Sequence, residues 1–247
     1  MSFEWNDRIR SIARNWLFGD FPAAERFPET VILPLENPDL HDHESFMTQL
    51  GGRLKHLTSI SIGRKNGVTV GVMRSKLGGP AVALATECLA MMGVRRIIGV
   101  GYCGSLKKTC TAGSILVPTH CYTDDHLPLR YGADASGIRS DSTLSEQLYH
   151  QLQQQAVNPI RAALWSTDAI MLETSEAINR WASTGALGVD MECATLFQVA
   201  GMRNMASSAI VVASDNAVTG EPANNGVLAN ARDAAIEAAF AVAKTAP

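Results

Sequence analysis

Short runs of apolar, often β-branched residues alternate along this chain with stretches whose apolar residues recur every three or four positions. That alternation limits the fold more than any other feature. Val31 to Leu35, Ile97 to Val100, Ser114 to Pro118, Ile160 to Trp165 and Ala206 to Ala213 read as strands. Val82, Ala85, Leu89 and Met92 form a helical stripe after Gly78-Gly79-Pro80, and helical stretches cover Leu144 to Gln155, Ser175 to Ser183, Met191 to Ala200 and Gly226 to Lys244. Leu57 to Ile62 and Val68 to Met73 flank Lys65-Asn66-Gly67 and predict a hairpin. Strands that are apolar throughout need cover on both faces. The pattern therefore predicts a single-domain three-layer α/β/α fold around a mixed, twisted central sheet.

A chain of 247 residues, 46 % of them apolar, can bury one sizeable core, so one domain is expected over residues 1–247. Trp5, Ile9, Ile12 and Trp16 fall at helical spacing and make residues 1–30 an N-terminal helical extension. With 21 basic against 24 acidic residues and no basic stripe, nucleic acid and anionic membrane are not expected as partners. No segment has the apolar length to cross a bilayer and the first residues lack an apolar leader core. The five cysteines include no Cys-x-x-Cys pair and read as reduced thiols in the cytoplasm.

Four segments carry more specific information: LGGPAVALATECLAMMGVRRII, GVGYCGSLKKTCTAGSILVPT, WSTDAIMLET, and VDMECATLFQVA with VVASDN after it. In this order, over residues 77 to 216, they resemble the family of uridine phosphorylase and hexameric purine nucleoside phosphorylase, which also holds the methylthioadenosine and S-adenosylhomocysteine nucleosidases. The resemblance implies cleavage of a nucleoside N-glycosidic bond, with no cofactor and inorganic phosphate as co-substrate. It also implies a homo-oligomer, dimer or hexamer.

By that resemblance Glu192 holds the ribose hydroxyls and favours an oxocarbenium-like transition state, with Met191 packed on the sugar face. Asp215 of the Ser-Asp pair is the acid for the departing base and points to a purine. Cys103, Gly104, Asp168 and Ile170 are expected around the base, and Cys103 is expected to be an inert thiol. Each carboxylate also has a local explanation: Glu192 as an ordinary acid at a helix start, Asp215 and Asp168 as turn formers.

The phosphate site departs from the family. Pro34-Leu35-Glu36-Asn37-Pro38-Asp39 replaces the family's Gly-Asp-Pro-x-Arg loop and adds negative charge; Gly99 stands where an arginine is usual, and Tyr102 where a threonine is. Gly78 and Gly79 at a helix start retain backbone N–H groups for an anion, and Arg74, Lys76 or Arg64 are candidate replacement cations. The missing arginines leave two alternatives, a nucleosidase using water, with Glu173 as a candidate base, and a noncatalytic nucleoside-binding protein. His41, His43, His120 and His126 lack a ligand spacing, and no metal is assigned.

Overall fold

The computed structural model describes residues 4–17, 27–37, 43–51, 53–56, 59–65, 67–134 and 137–245. The strands are β1 Thr30–Leu35, β2 Arg53–His56, β3 Ile60–Lys65, β4 Val68–Met73, β5 Arg96–Ser105, β6 Ile115–Thr123, β7 Ile138–Arg139, β8 Ile160–Ser166, β9 Gly188–Asp190, β10 Ala206–Asn216 and β11 Glu221–Pro222. The helices are α1 Asp7–Leu17, α2 Glu44–Leu50, α3 Gly79–Met91, α4 His126–Arg130, α5 Ser142–Gln154, α6 Ser175–Ser183, α7 Cys193–Met202 and α8 Asn225–Ala243, with a 3-10 turn at Ile170–Leu172.

The strands form one mixed sheet in the order β11-β10-β6-β8-β9-β5-β1-β4-β3-β2. β10 also pairs with β5, so β5, β10, β6, β8 and β9 close into a ring while β1 to β4 extend it as an open wing. β1 runs parallel to both β4 and β5, and β5 parallel to β10, so their carboxyl ends lie together.

Period-two alternation places the helices. Val31, Leu33, Ile97, Ala209 and Val211 pack with α3 and α7 residues such as Val82, Leu89, Leu196 and Phe197. Ile32, Ile98, Val100, Ile210 and Val212 pack instead with Phe46 of α2, Leu148 of α5 and Phe240 of α8. Successive side chains of one strand thus enter two different cores, which makes the sheet the middle of three layers. α1 packs on α3, and Trp5 just before it donates its indole N–H to Glu87 of α3 at 2.8 Å.

Several boundaries depart from the sequence reading. β5 runs through Gly101-Tyr102-Cys103-Gly104 and β10 through Ser214-Asp215, segments expected to be loops. The β1–β5 ladder reaches Gly101 because glycine there lets β1 approach: a Cβ would sit 2.0 Å from the Leu35 carbonyl oxygen. The short α2, α4, β7, β9 and β11 had no periodic signal long enough to read. Leu57 and His41 lie outside the described residues.

Candidate active site

A cavity of about 350 Å³ opens at the carboxyl ends of the parallel strands, where α/β sheets place ligands. Leu35, Glu36 and Asn37 enter it from the end of β1, and Tyr102, Cys103 and Gly104 from β5. Val189, Asp190, Met191 and Glu192 come from β9 and the start of α7; Ser214 and Asp215 come from β10. Leu77, Ile170, Glu173 and Leu228 complete the wall. Glu192 and Asp215 therefore face one space, with apolar surface from Val189, Met191 and Ile170 in the same lining.

The local jobs that could have explained these carboxylates are done by other residues. At the start of α7, Asp190 accepts from the N–H groups of Cys193 at 2.8 Å and Glu192 at 3.3 Å, and Ser166 Oγ accepts from Ala194 N–H at 3.0 Å while donating to Asp190. With those donors taken, the Glu192 side chain reaches across to α3 and accepts from Gly78 N–H at 2.7 Å. Gly78 holds φ of +91°, a conformation that suits glycine, and this aims its N–H at the carboxylate. Glu192 is only 3 % exposed. Burial first, and then the Asp190 carboxylate, push its pKa up to about 8.

At the other end, Asn216 forms the turn after β10 by accepting from Val218 and Thr219 N–H groups at 3.0 and 3.1 Å. Asp215 is left to face the cavity, taking a hydrogen bond from Ser214 Oγ at 2.8 Å. A bulge between Ala213 and Asp215 lets the consecutive residues Ser214 and Asp215 both line it, which strict alternation would forbid. Cys103 is fully enclosed beside them, and burial with nearby Asp190 raises its thiol well above the usual range. Glu173 is half-buried in the same wall, its pKa raised by burial and by Asp215.

Other candidates fall elsewhere. Asp168 is exposed and absent from the cavity wall; its carboxylate lies at the start of α3, where a Cβ on Gly79 would be 3.0 Å from Oδ1, and its N–H donates to Asp125. Burial and that neighbouring carboxylate help raise Asp125 to about 6. Arg74, Arg64 and Lys76 are exposed and none lines the cavity. The Gly78 N–H offered to an anion is already donated to Glu192, so carboxylates hold the α3 start. Tyr102 does line the cavity. His120 bonds Thr119 and Tyr122, His126 is exposed, and His43 stacks on Phe46. Among the described residues, no group of three or more His, Cys, Asp or Glu is placed to hold a metal, and no helix is long and apolar enough to cross a membrane.

The sequence reading missed a cation that is bonded to the cavity wall. Arg232 of α8 grips Glu36 with both ends of its fork, at 2.7 and 3.0 Å. The two are 196 positions apart in sequence, and nothing in either segment signals the other.

The phosphorylase superfamily model matches residues 30–246, from the first strand to the end of the last helix. The chain belongs to the phosphorylase superfamily. Among its relatives, a DeoD-type purine nucleoside phosphorylase of Myxococcus xanthus is 30 % identical over 189 residues, 75 % of this chain and 78 % of that protein. One from Clostridium beijerinckii is 27 % identical over 161 residues, 64 % of this chain and 68 % of the other. In fold, this superfamily member matches the crystal structure of uridine phosphorylase from Vibrio fischeri with a TM-score of 0.77, at 22 % identity over 89 % of this chain and 94 % of that one. The family match begins at residue 30, so α1 and Trp5, whose indole donates to Glu87, lie outside the matched residues.

Proposed function

We propose that the chain is a nucleoside phosphorylase, a pentosyltransferase that moves the ribosyl group of a purine nucleoside from its base to inorganic phosphate. The observation that carries this reading is the convergence of Glu192 and Asp215 on one cavity between strand ends. The C1′–N9 bond breaks as the phosphate oxygen bonds C1′, and Asp215 gives a proton to N7 so that the base leaves neutral. Sugar hydroxyls donating to Glu192 favour its ionised form, its proton passing to solvent as the nucleoside binds, and the resulting carboxylate stabilises positive charge on the ring. Met191 packs on the sugar, and Cys103, Gly104 and Ile170 bound the base. The relatives named purine nucleoside phosphorylase and the Ser214-Asp215 pair support a purine.

One observation favours a second reading, in which water replaces phosphate. Among the described lining residues none is Lys or Arg, while Glu36 adds a carboxylate to the wall. Incubating the protein with inosine, adenosine and uridine, with and without phosphate, decides between them. Phosphate-dependent release of base and ribose 1-phosphate is expected; phosphate-independent release of free ribose selects hydrolysis, and no base release in any mixture refutes both.

Unpaired cysteines, all buried, fit a reducing cytoplasmic setting. The outward Met171 and Leu172, 93 % and 67 % exposed beside the cavity's Ile170, fit assembly into a homo-oligomer.

A further inference from the structure

The corner of the cavity at the end of β1 is built from parts of four elements. Glu36 is the first residue past β1 and is 6 % exposed. Arg232 stands four residues after the cavity-lining Leu228 on α8, so both project from one helix face. Its Nη1 also lies 3.5 Å from Ser45 Oγ of α2, and its guanidinium sits 5.4 Å from the Phe46 ring centroid. Tyr102, from β5, accepts a further hydrogen bond from Arg232. Burial and Glu36 push its hydroxyl up to about 12, so it keeps its proton and can donate to an anion. Asp233 faces the same group from the next position on α8.

This arrangement has the parts of an oxyanion seat: a planar guanidinium fork, a phenol and a serine hydroxyl at the edge of a cavity. Its present occupant is a carboxylate of the chain itself. Desolvating two ions offsets much of the Coulomb gain of a buried pair, so exchanging one bidentate anion for another of higher charge is close to balanced. Glu36 lies outside the β1 ladder and borders open cavity space, which gives its side chain somewhere to turn.

We propose that Arg232 is the oxyanion-binding residue of this site and that Glu36 is an internal plug which inorganic phosphate must displace. The inference rests on the phosphorylase reading for its biological use, but its test does not need turnover.

The test is calorimetric titration of the protein with inorganic phosphate at constant ionic strength. Glu36→Gln keeps the side-chain shape and removes the competing charge; it should bind phosphate at least about tenfold more tightly than wild type. Adding Arg232→Gln to it should abolish the site. Equal phosphate affinity in wild type and Glu36→Gln overturns the plug, and binding that survives in the double variant overturns Arg232 as the receptor. Should Glu36→Gln alone not fold, wild type and the double variant still decide: the double variant leaves no buried charge unpaired, and the phosphate binding of wild type must be lost in it. Phosphate-independent hydrolysis by wild type would refute phosphorolysis while leaving this binding comparison decisive.

Discussion

Glu192→Gln should make the protein more stable in alkali and far less active. Burial and the Asp190 carboxylate raise the Glu192 carboxyl from 4.5 to about 8 in the folded state. The folded chain thus holds a proton that the unfolded chain releases. Stability from this group is complete below pH 4.5, falls as pH climbs, and is lost once pH passes about 8. At about 1.4 kcal/mol per pH unit the total is roughly 5 kcal/mol. Glutamine does not titrate, and its amide oxygen can still accept from Gly78 N–H. Its amide nitrogen, however, meets the Met191 N–H now 3.3 Å from the carboxyl, a mismatch costing about 1–2 kcal/mol. The variant should therefore be about 1 kcal/mol less stable than wild type at about pH 5 and about 3 kcal/mol more stable above about pH 8. Urea unfolding across this range measures the crossing, and kcat/KM should drop about 10²–10³-fold with loss of the charged acceptor. Parallel stability curves for the two proteins, with no crossing, would refute a buried proton on Glu192.

The same proton makes nucleoside binding pH-dependent: affinity should tighten up to about tenfold per pH unit until about pH 8, with a proton released that calorimetry in buffers of different ionisation enthalpy will count. Asp215→Asn keeps the Ser214 contact but has no acidic proton to give; kcat should fall about 10²–10⁴-fold, and less for a substrate whose base leaves without protonation. Gly101→Ala places a methyl group 2.0 Å from the Leu35 carbonyl, so β1 must separate from β5. A loss of more than about 4 kcal/mol, read as an insoluble or unfolded product, is expected, whereas native-like melting would show that the strands can yield.

The helix and strand pattern was legible because the sheet is covered on both faces, which writes apolar runs directly into the sequence. The long helices appear near their expected limits, and Pro80 in the first turn of α3 marked its start. Strand ends were not legible. Gly101 to Gly104 and Ser214-Asp215 have the composition of loops, yet the ladder between β5 and β10 runs through Asn216 paired with Ser105. Small residues there answer to a close approach and a bulge, which are tertiary facts. Asp168 misled for the opposite reason: it follows β8 as a site residue would, but the next turn carries its carboxylate toward Gly79 while Ile170 and Glu173 turn back to the cavity.

The carboxylates show what a sequence reading of a site can and cannot decide. An acid beside a helix start or after a strand has a local use, and only its neighbours determine whether that use is already filled. Here Asp190 and Ser166 satisfy the start of α7 and Asn216 satisfies the turn after β10, which releases Glu192 and Asp215 toward the cavity. One of those neighbours, Asn216, is adjacent to Asp215 in sequence. The Ser166–Asp190 bond spans 24 positions and the Glu36–Arg232 pair 196, so their partners appear only when strands and helices meet. For Glu36 the consequence is a reversal of meaning. Read along the chain it is a negative charge that spoils an anion site; read in the fold it is the occupant of one, and the cation that makes the seat comes from the last helix.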